Sequence, residues 1–334
     1  MLNATSINNI GVAVAGEALI DLIGRPDGTF LPCIGGAPYN LARALARQDV
    51  GTLYLNPLSA DRFGRMLAKQ LQADGVHLAC DVPVPQTTAL AIVSLNELGH
   101  PDYAFYREGV ADREVTALGL NQACDWAPGL KMVCTGALAL DPRDTSVYLT
   151  WLEAQRLAGR FVVVDANLRP SVMSDLSSYR RNVLATLALA DLIKVSDEDL
   201  VHLGWGGIDP IRAARELLQQ SKASLLVLTM GAAGAWLLTS EFQCYAREAD
   251  ELSIVDTVGA GDCFLAGFLA ALMKLTLHAV SAQDRLSGLS ESDFRGLLRH
   301  ALASASLCVQ QQGCVPPTWQ ETTDWSQKHS VITE

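Results

Sequence analysis

The stretch DTVGAGDCF, residues 256–264, sets Gly259, Ala260 and Gly261 directly before a carboxylate, Asp262, and then runs into an apolar segment. That order reads as the start of a buried helix. A helix N-terminus leaves backbone N–H groups unpaired and carries about half a unit of positive charge. With little or no side chain at 259–261, an anion can reach those N–H groups, so the turn is a candidate phosphate cradle. Asp262 then stands in the first helical turn, beside the group held there. Phosphoryl transfer needs an oriented nucleophile, in-line geometry and stabilised charge on the moving oxygens. A carboxylate at this point can align an alcohol and accept its proton, and the helix terminus is expected to keep it ionised. Taken alone, GAGD is equally an ordinary glycine-rich turn ahead of a helix.

A second polar turn lies about 220 residues earlier. In GGAPYNLARALA, residues 35–46, Gly35 and Gly36 leave the backbone open to a hydroxylated ligand, and Asn40 can bond hydroxyls. No P-loop of the form GxxxxGK[ST] occurs, and the protein-kinase motif set is absent, so neither of those nucleotide-binding designs applies.

These turns need elements to hold them. Short apolar runs read as strands at 12–16, 132–138, 161–167, 191–196 and 225–231. Helical spacing marks 40–48, 61–75, 145–159, 260–273 and 291–311. Strand–helix repetition of this kind predicts a mostly parallel sheet covered on both faces, with ligands collecting at the carboxyl ends of the strands. Asp165–Arg169, Ser196–Asp199 and Thr229–Gly234 fall at that end. Two segments break the rhythm. Residues 17–36 and 88–109 read as β-hairpins, around Pro26–Gly28 and Gly99–Pro101, that build a small lid over the strand ends as insertions in a single domain.

Composition narrows the function classes. Of 334 residues, 49% are hydrophobic and 18% charged, which predicts a large buried core and little disorder. A net charge of −11 argues against nucleic-acid partners, and obliges any phosphate site to supply local positive charge. No signal peptide or membrane span is read from the sequence, so the expected location is cytoplasmic. The eight cysteines, at 33, 80, 124, 134, 244, 263, 308 and 314, form no CxxC pair. They read as reduced, buried thiols, with no spacing that would support zinc.

DTVGAGDCF resembles the C-terminal signature of the ribokinase-like (PfkB-type) carbohydrate kinases, and GGAPYNLARALA resembles their N-terminal signature in its fructokinase form. The resemblance implies a three-layer α/β/α fold with a β-lid, ATP and Mg²⁺ as cofactors, and a sugar as phosphoryl acceptor, with fructose to fructose 6-phosphate the favoured reaction. It also implies an anion hole at 259–261 and Asp262 as the base. GEALIDL (16–22) is similar to the family's first strand, which makes Asp21 a sugar ligand with Gly35, Gly36 and Asn40. DANLRP (165–170) resembles a fructokinase run that brings Arg169 to the sugar. FYREGVAD (105–112) resembles the lid segment, with Tyr106 or Arg107 facing the substrate. KVSDED (194–199) corresponds to a segment usually written N-x-x-E, here with Ser196 for Asn and Asp199 for Glu. On that correspondence Lys194 and Ser196 go to the nucleotide, and Asp199 or Glu198 to a water-bridged Mg²⁺. TMGAAG (229–234) is similar to the nucleotide turn and contributes Thr229, Gly231 and Gly234. Asp256, Val258 and Gly313 correspond to a monovalent-cation (K⁺) site. The lid residues Leu90, Ile92 and Val93 are expected either to pair two subunits as a homodimer or to cover the substrate. Kinases for aminoimidazole riboside or 2-keto-3-deoxygluconate, and a catalytically silent binding regulator on the same fold, are the competing readings.

Overall fold

The structure, a computed structural model, describes residues 9–25, 27–95, 101–276 and 286–334; the side chains of 93–95 and 101–103 also lie outside the description. In chain order the strands are β1 Val12–Val14, β2 Leu19–Gly24, β3 Phe30–Gly35, β4 Thr52–Tyr54, β5 His77–Leu78, β6 Ala89–Leu95, β7 Pro101–Tyr106, β8 Met132–Gly136, β9 Phe161–Asp165, β10 Leu192–Ser196, β11 Leu225–Thr229, β12 Ala235–Leu238, β13 Gln243–Glu248 and β14 Val331–Thr333. The helices are α1 Ala37–Arg47, α2 Arg62–Ala73, α3 Ala117–Asp125, α4 Thr145–Leu157, α5 Leu176–Leu187, α6 Asp197–Leu200, α7 Pro210–Ser221, α8 Ala260–Leu275, α9 Glu291–Cys308 and α10 Trp319–Lys328.

The main sheet runs β14-β13-β12-β11-β10-β9-β8-β1-β4-β5. It is parallel from β11 through β5, and β12 to β14 extend it antiparallel. Alternation along the strands divides the core in two, because successive side chains point to opposite faces. Val12, Val14, Val163 and Leu192 pack with α1, α8 and α9, whereas Ala13, Val162, Val164 and Ile193 pack with α3, α4, α5 and α7. This is the expected three-layer α/β/α arrangement. The central strands are buried on both faces, which explains why they read as unbroken apolar runs.

Residues 17–36 and 88–109 supply a second sheet, in the order β3-β2-β6-β7. β2 pairs antiparallel with β3 and parallel with β6, and β6 pairs antiparallel with β7. Pro26 of the first turn and residues 96–100 of the second lie outside the described residues. A small apolar cluster of Leu19, Ala89, Ala91, Val110 and Leu138 fastens this sheet to the body just past the end of β8. Leu90 packs against the larger core and Ile92 is half-buried; the Val93 side chain is outside the description. Among the described residues, no helix is long and apolar enough to cross a membrane.

Candidate active site

Two helix starts, widely separated in sequence, meet at the carboxyl ends of the strands. α1 begins at Gly36, whose φ of 107° lies in the region that favours glycine; a β-carbon there would sit 2.5 Å from the Glu17 carbonyl oxygen. α8 begins at Gly259, with φ 78°. Asn40, in the first turn of α1, donates from Nδ2 to Oδ2 of Asp262, in the first turn of α8, at 3.0 Å. Both side chains are nearly sealed from solvent, at 4% and 7% exposure. Asn40 Oδ1 is buried with no hydrogen-bond partner. A buried acceptor of that kind costs free energy until a donor arrives, so Asn40 Oδ1 is available to a hydrogen-bond donor.

Charge is concentrated behind this junction. Lys194 of β10 donates from Nζ to both oxygens of Asp165, at the end of β9, at 2.9 Å each, and both residues are buried. The same ammonium would lie 3.3 Å from a β-carbon on Gly261, so it sits against the first turn of α8. Here one expectation is overturned. Burial pushes the Asp262 carboxyl up to about 7, with the Asp165 charge adding to it, while the Asn40 hydrogen bond, Lys194 and Arg169 pull the other way. Desolvation therefore outweighs the helix terminus, and Asp262 stands at the edge of ionisation rather than firmly ionised. That position suits a general base working near neutral pH.

Asp21 reaches the same region from β2. Its Oδ2 would stand 2.2 Å from a β-carbon on Gly35, so Gly35 is the space this carboxylate occupies. Burial raises Asp21 to about 6, against the pull of Arg169. Asp21, Gly35, Gly36, Asn40, Arg169 and Asp262 are thus neighbours in space.

Other predicted residues have different work. Asp199 is the N3 residue of a capping box. Its Oδ2 accepts from the Ser196 N–H at 2.8 Å, Ser196 Oγ accepts from the Asp199 N–H, and its Oδ1 accepts from the Leu168 N–H at 2.7 Å. Asp199 is a buried brace that joins the ends of β9 and β10, and Glu198 alone of that pair is exposed. Arg107 is buried, lies 3.5 Å from Asp141, and stands electrostatically against Glu17 and Asp112, while its Nε is buried without a hydrogen-bond partner. Tyr106 is 59% exposed. Thr229 is half-buried at the end of β11, and Gly231 faces open space with φ 53°. Gly234, with φ 90°, is required by the protein itself, since a β-carbon there would meet the Ala246 carbonyl oxygen at 2.5 Å. Asp256 accepts from the N–H groups of Val258 and Gly313, at 3.0 and 2.9 Å, and so brings the three residues of the predicted cation loop together.

Two site residues escaped the sequence reading. Asp165 holds Lys194; its position at a strand end was the available signal. Glu17 accepts from the Ala37 N–H at 3.2 Å, its other oxygen is buried and unpartnered, and burial raises it to about 7. A cleft of about 840 Å³ lies elsewhere, lined by Leu90, Phe105, Arg107 and Asp141 among others, and includes none of Asp21, Asn40 and Asp262. Convergent polar groups, not cavity size, locate the site.

A three-layer fold with paired glycine-led helix starts, an inward carboxyl and a buried lysine defines a phosphotransferase scaffold. The pfkB family carbohydrate kinase profile matches residues 9–321, and this chain belongs to that family. It is 34% identical over 280 residues to the fructokinase of Rhizobium leguminosarum bv. trifolii, covering 82% of this chain and 84% of that protein. Its fold is similar to the fructokinase of Xylella fastidiosa solved with bound ATP, with a TM-score of 0.84, 26% identity, and 95% of this chain and 98% of that one covered. It is also similar to aminoimidazole riboside kinase from Salmonella enterica solved with aminoimidazole riboside and an ATP analogue, with a TM-score of 0.76, 24% identity, and coverage of 94% and 99%.

Proposed function

We propose that this carbohydrate kinase transfers the γ-phosphoryl group of ATP to the primary alcohol at C6 of D-fructose, giving ADP and D-fructose 6-phosphate. The observation that carries the reading is the Asn40–Asp262 contact at the meeting of two helix starts. Curated relatives named fructokinase support the choice of sugar.

The sugar is held by Asp21, Gly35, Gly36, Asn40 and Arg169. Asp262 accepts the proton of the attacking hydroxyl, whose oxygen bonds to the γ-phosphorus as the bond to the β–γ bridging oxygen breaks. The 259–261 turn and Lys194 oppose the negative charge on the moving oxygens. Thr229, Gly231 and Ser196 line the nucleotide side. Mg²⁺ bound with the nucleotide would neutralise phosphate charge, and Glu198, the exposed carboxylate of the pair, would hold it through water. The oxygen-rich loop of Asp256, Val258 and Gly313 fits K⁺. The small sheet acts as the lid, excluding the water that would otherwise take the phosphoryl group. Phe30 and Leu31 on its edge strand β3 are 49% and 36% exposed, and we assign them to a homodimer contact that sedimentation analysis would test.

A carboxylated acceptor such as 2-keto-3-deoxygluconate would want a second free cation near Arg169, and Arg107 is already bound to Asp141. A silent regulator has no need of a carboxyl raised to about 7 in a sealed site. ATP consumption measured across fructose, aminoimidazole riboside, 2-keto-3-deoxygluconate and ribose tests the reading. The highest kcat/KM is expected on fructose; preference for another sugar reassigns the substrate, and no turnover on any sugar removes the kinase.

A further inference from the structure

Three cysteines distant in sequence meet behind the glycine turn. Cys263 follows Asp262 in α8, Cys308 is the last residue of α9, and Cys314 lies in the segment after it. Their Sγ atoms all lie within 4.8 Å of one another, all three side chains are buried, and all are free thiols. Three sulfurs bonded at about 2.3 Å to one ion stand about 4 Å apart, so the triad needs to contract by less than about 1 Å per pair to close on a cation. Cys308 Sγ lies 3.7 Å from the Val258 carbonyl oxygen, which brings an oxygen donor to the edge of the triad.

We propose that Cys263, Cys308 and Cys314 form a binding site for one soft divalent cation, Zn²⁺ or Cd²⁺, and that filling it stops phosphoryl transfer at the adjoining turn. Binding replaces three S–H bonds by three metal–sulfur bonds, releases three protons to solvent, and leaves one net negative charge. Two features couple the site to the anion cradle. Gly259 packs on Cys314 so closely that a β-carbon at 259 would lie 2.3 Å from Sγ, so drawing Cys314 toward an ion moves the residue that opens α8. The new negative charge also lies behind amides that must face a phosphate. The inhibitory half rests on the kinase reading above; the binding half does not.

Titration of the reduced full chain with Cd²⁺, followed by the ultraviolet thiolate-to-cadmium absorption, tests the site. Saturation is expected at one equivalent, with about three protons released per ion. Cys308→Ser and Cys314→Ser, each first checked for an unchanged thermal transition, are expected to weaken binding at least about tenfold, whereas Cys80→Ser leaves it unaltered. Sugar phosphorylation with excess Mg–ATP should be lost at one equivalent of Cd²⁺ in the parent chain and retained in Cys314→Ser. No saturable band, or titrations of the two triad variants identical to that of the parent chain, overturns the site. A saturated band with undiminished turnover overturns the inhibitory link. If the metal-free protein phosphorylates no sugar, the kinase reading fails while the titration still decides the site.

Discussion

In the proposed reaction Asp262 carries the chemistry, and its surroundings set its ionisation near neutral pH. Its carboxyl is raised from the ordinary carboxylate range to about 7, chiefly by burial. The unfolded chain ionises this group near 4, so the folded state binds the proton more tightly between those limits. Ionising Asp262 therefore costs stability as pH rises through that window, and the full cost is present above about 7. Asp262→Asn removes the cost. The variant should unfold at higher denaturant than the parent at pH 8, by on the order of 4 kcal/mol, with the gap closing toward pH 4. Urea titrations at the two pH values would measure it; a gap independent of pH would mean that the carboxyl is not ionised against a penalty. The same group makes catalysis pH-dependent. As a base Asp262 works deprotonated, so kcat/KM for the sugar should rise with pH through about 7 and level off above it. A profile flat from pH 5.5 to 8 would contradict that assignment.

At the scale of elements, the active parts are helix starts and strand ends, and those were the most legible features of the sequence. DTVGAGD and GGAPYN announced two glycine-led helices, and the structure joins them through Asn40 and Asp262. Less legible was whatever depends on partners distant in the chain. The Asp165–Lys194 pair crosses from β9 to β10, and nothing in either strand alone announces it. The cysteine triad has no ligand spacing because its members lie on two helices and a turn. Strand β4 spans only Thr52–Tyr54, too short for a periodic signal, and the capping-box role of Asp199 is hidden because a cap and a metal ligand use the same residue types. The lysine pair gives the prediction at this scale. Lys194→Met leaves Asp165 buried without its counter-ion and should cost about 3–5 kcal/mol in denaturant unfolding, whereas adding Asp165→Leu should recover most of it. Equal losses in the single and double variants would show that the pair is not what matters there.

Across the whole molecule, a three-layer body presents Asp262, and a separate four-stranded sheet carries Asp21 to meet it. The apolar cluster around Leu138 connects the two. Leu138→Ala removes buried methyl groups at that joint and should cost about 2–5 kcal/mol of stability. It should also raise KM for the sugar more than for ATP, because Asp21 sits on the sheet that loosens; an equal rise in both would place the joint outside sugar binding. The account as a whole stands on an acid poised over an alcohol. Its most direct test is Asp262→Ala, assayed with fructose and ATP alongside a nucleotide-binding titration. Loss of kcat by on the order of 10²–10⁴-fold with ATP affinity kept is the predicted result; turnover equal to that of the parent chain would contradict it.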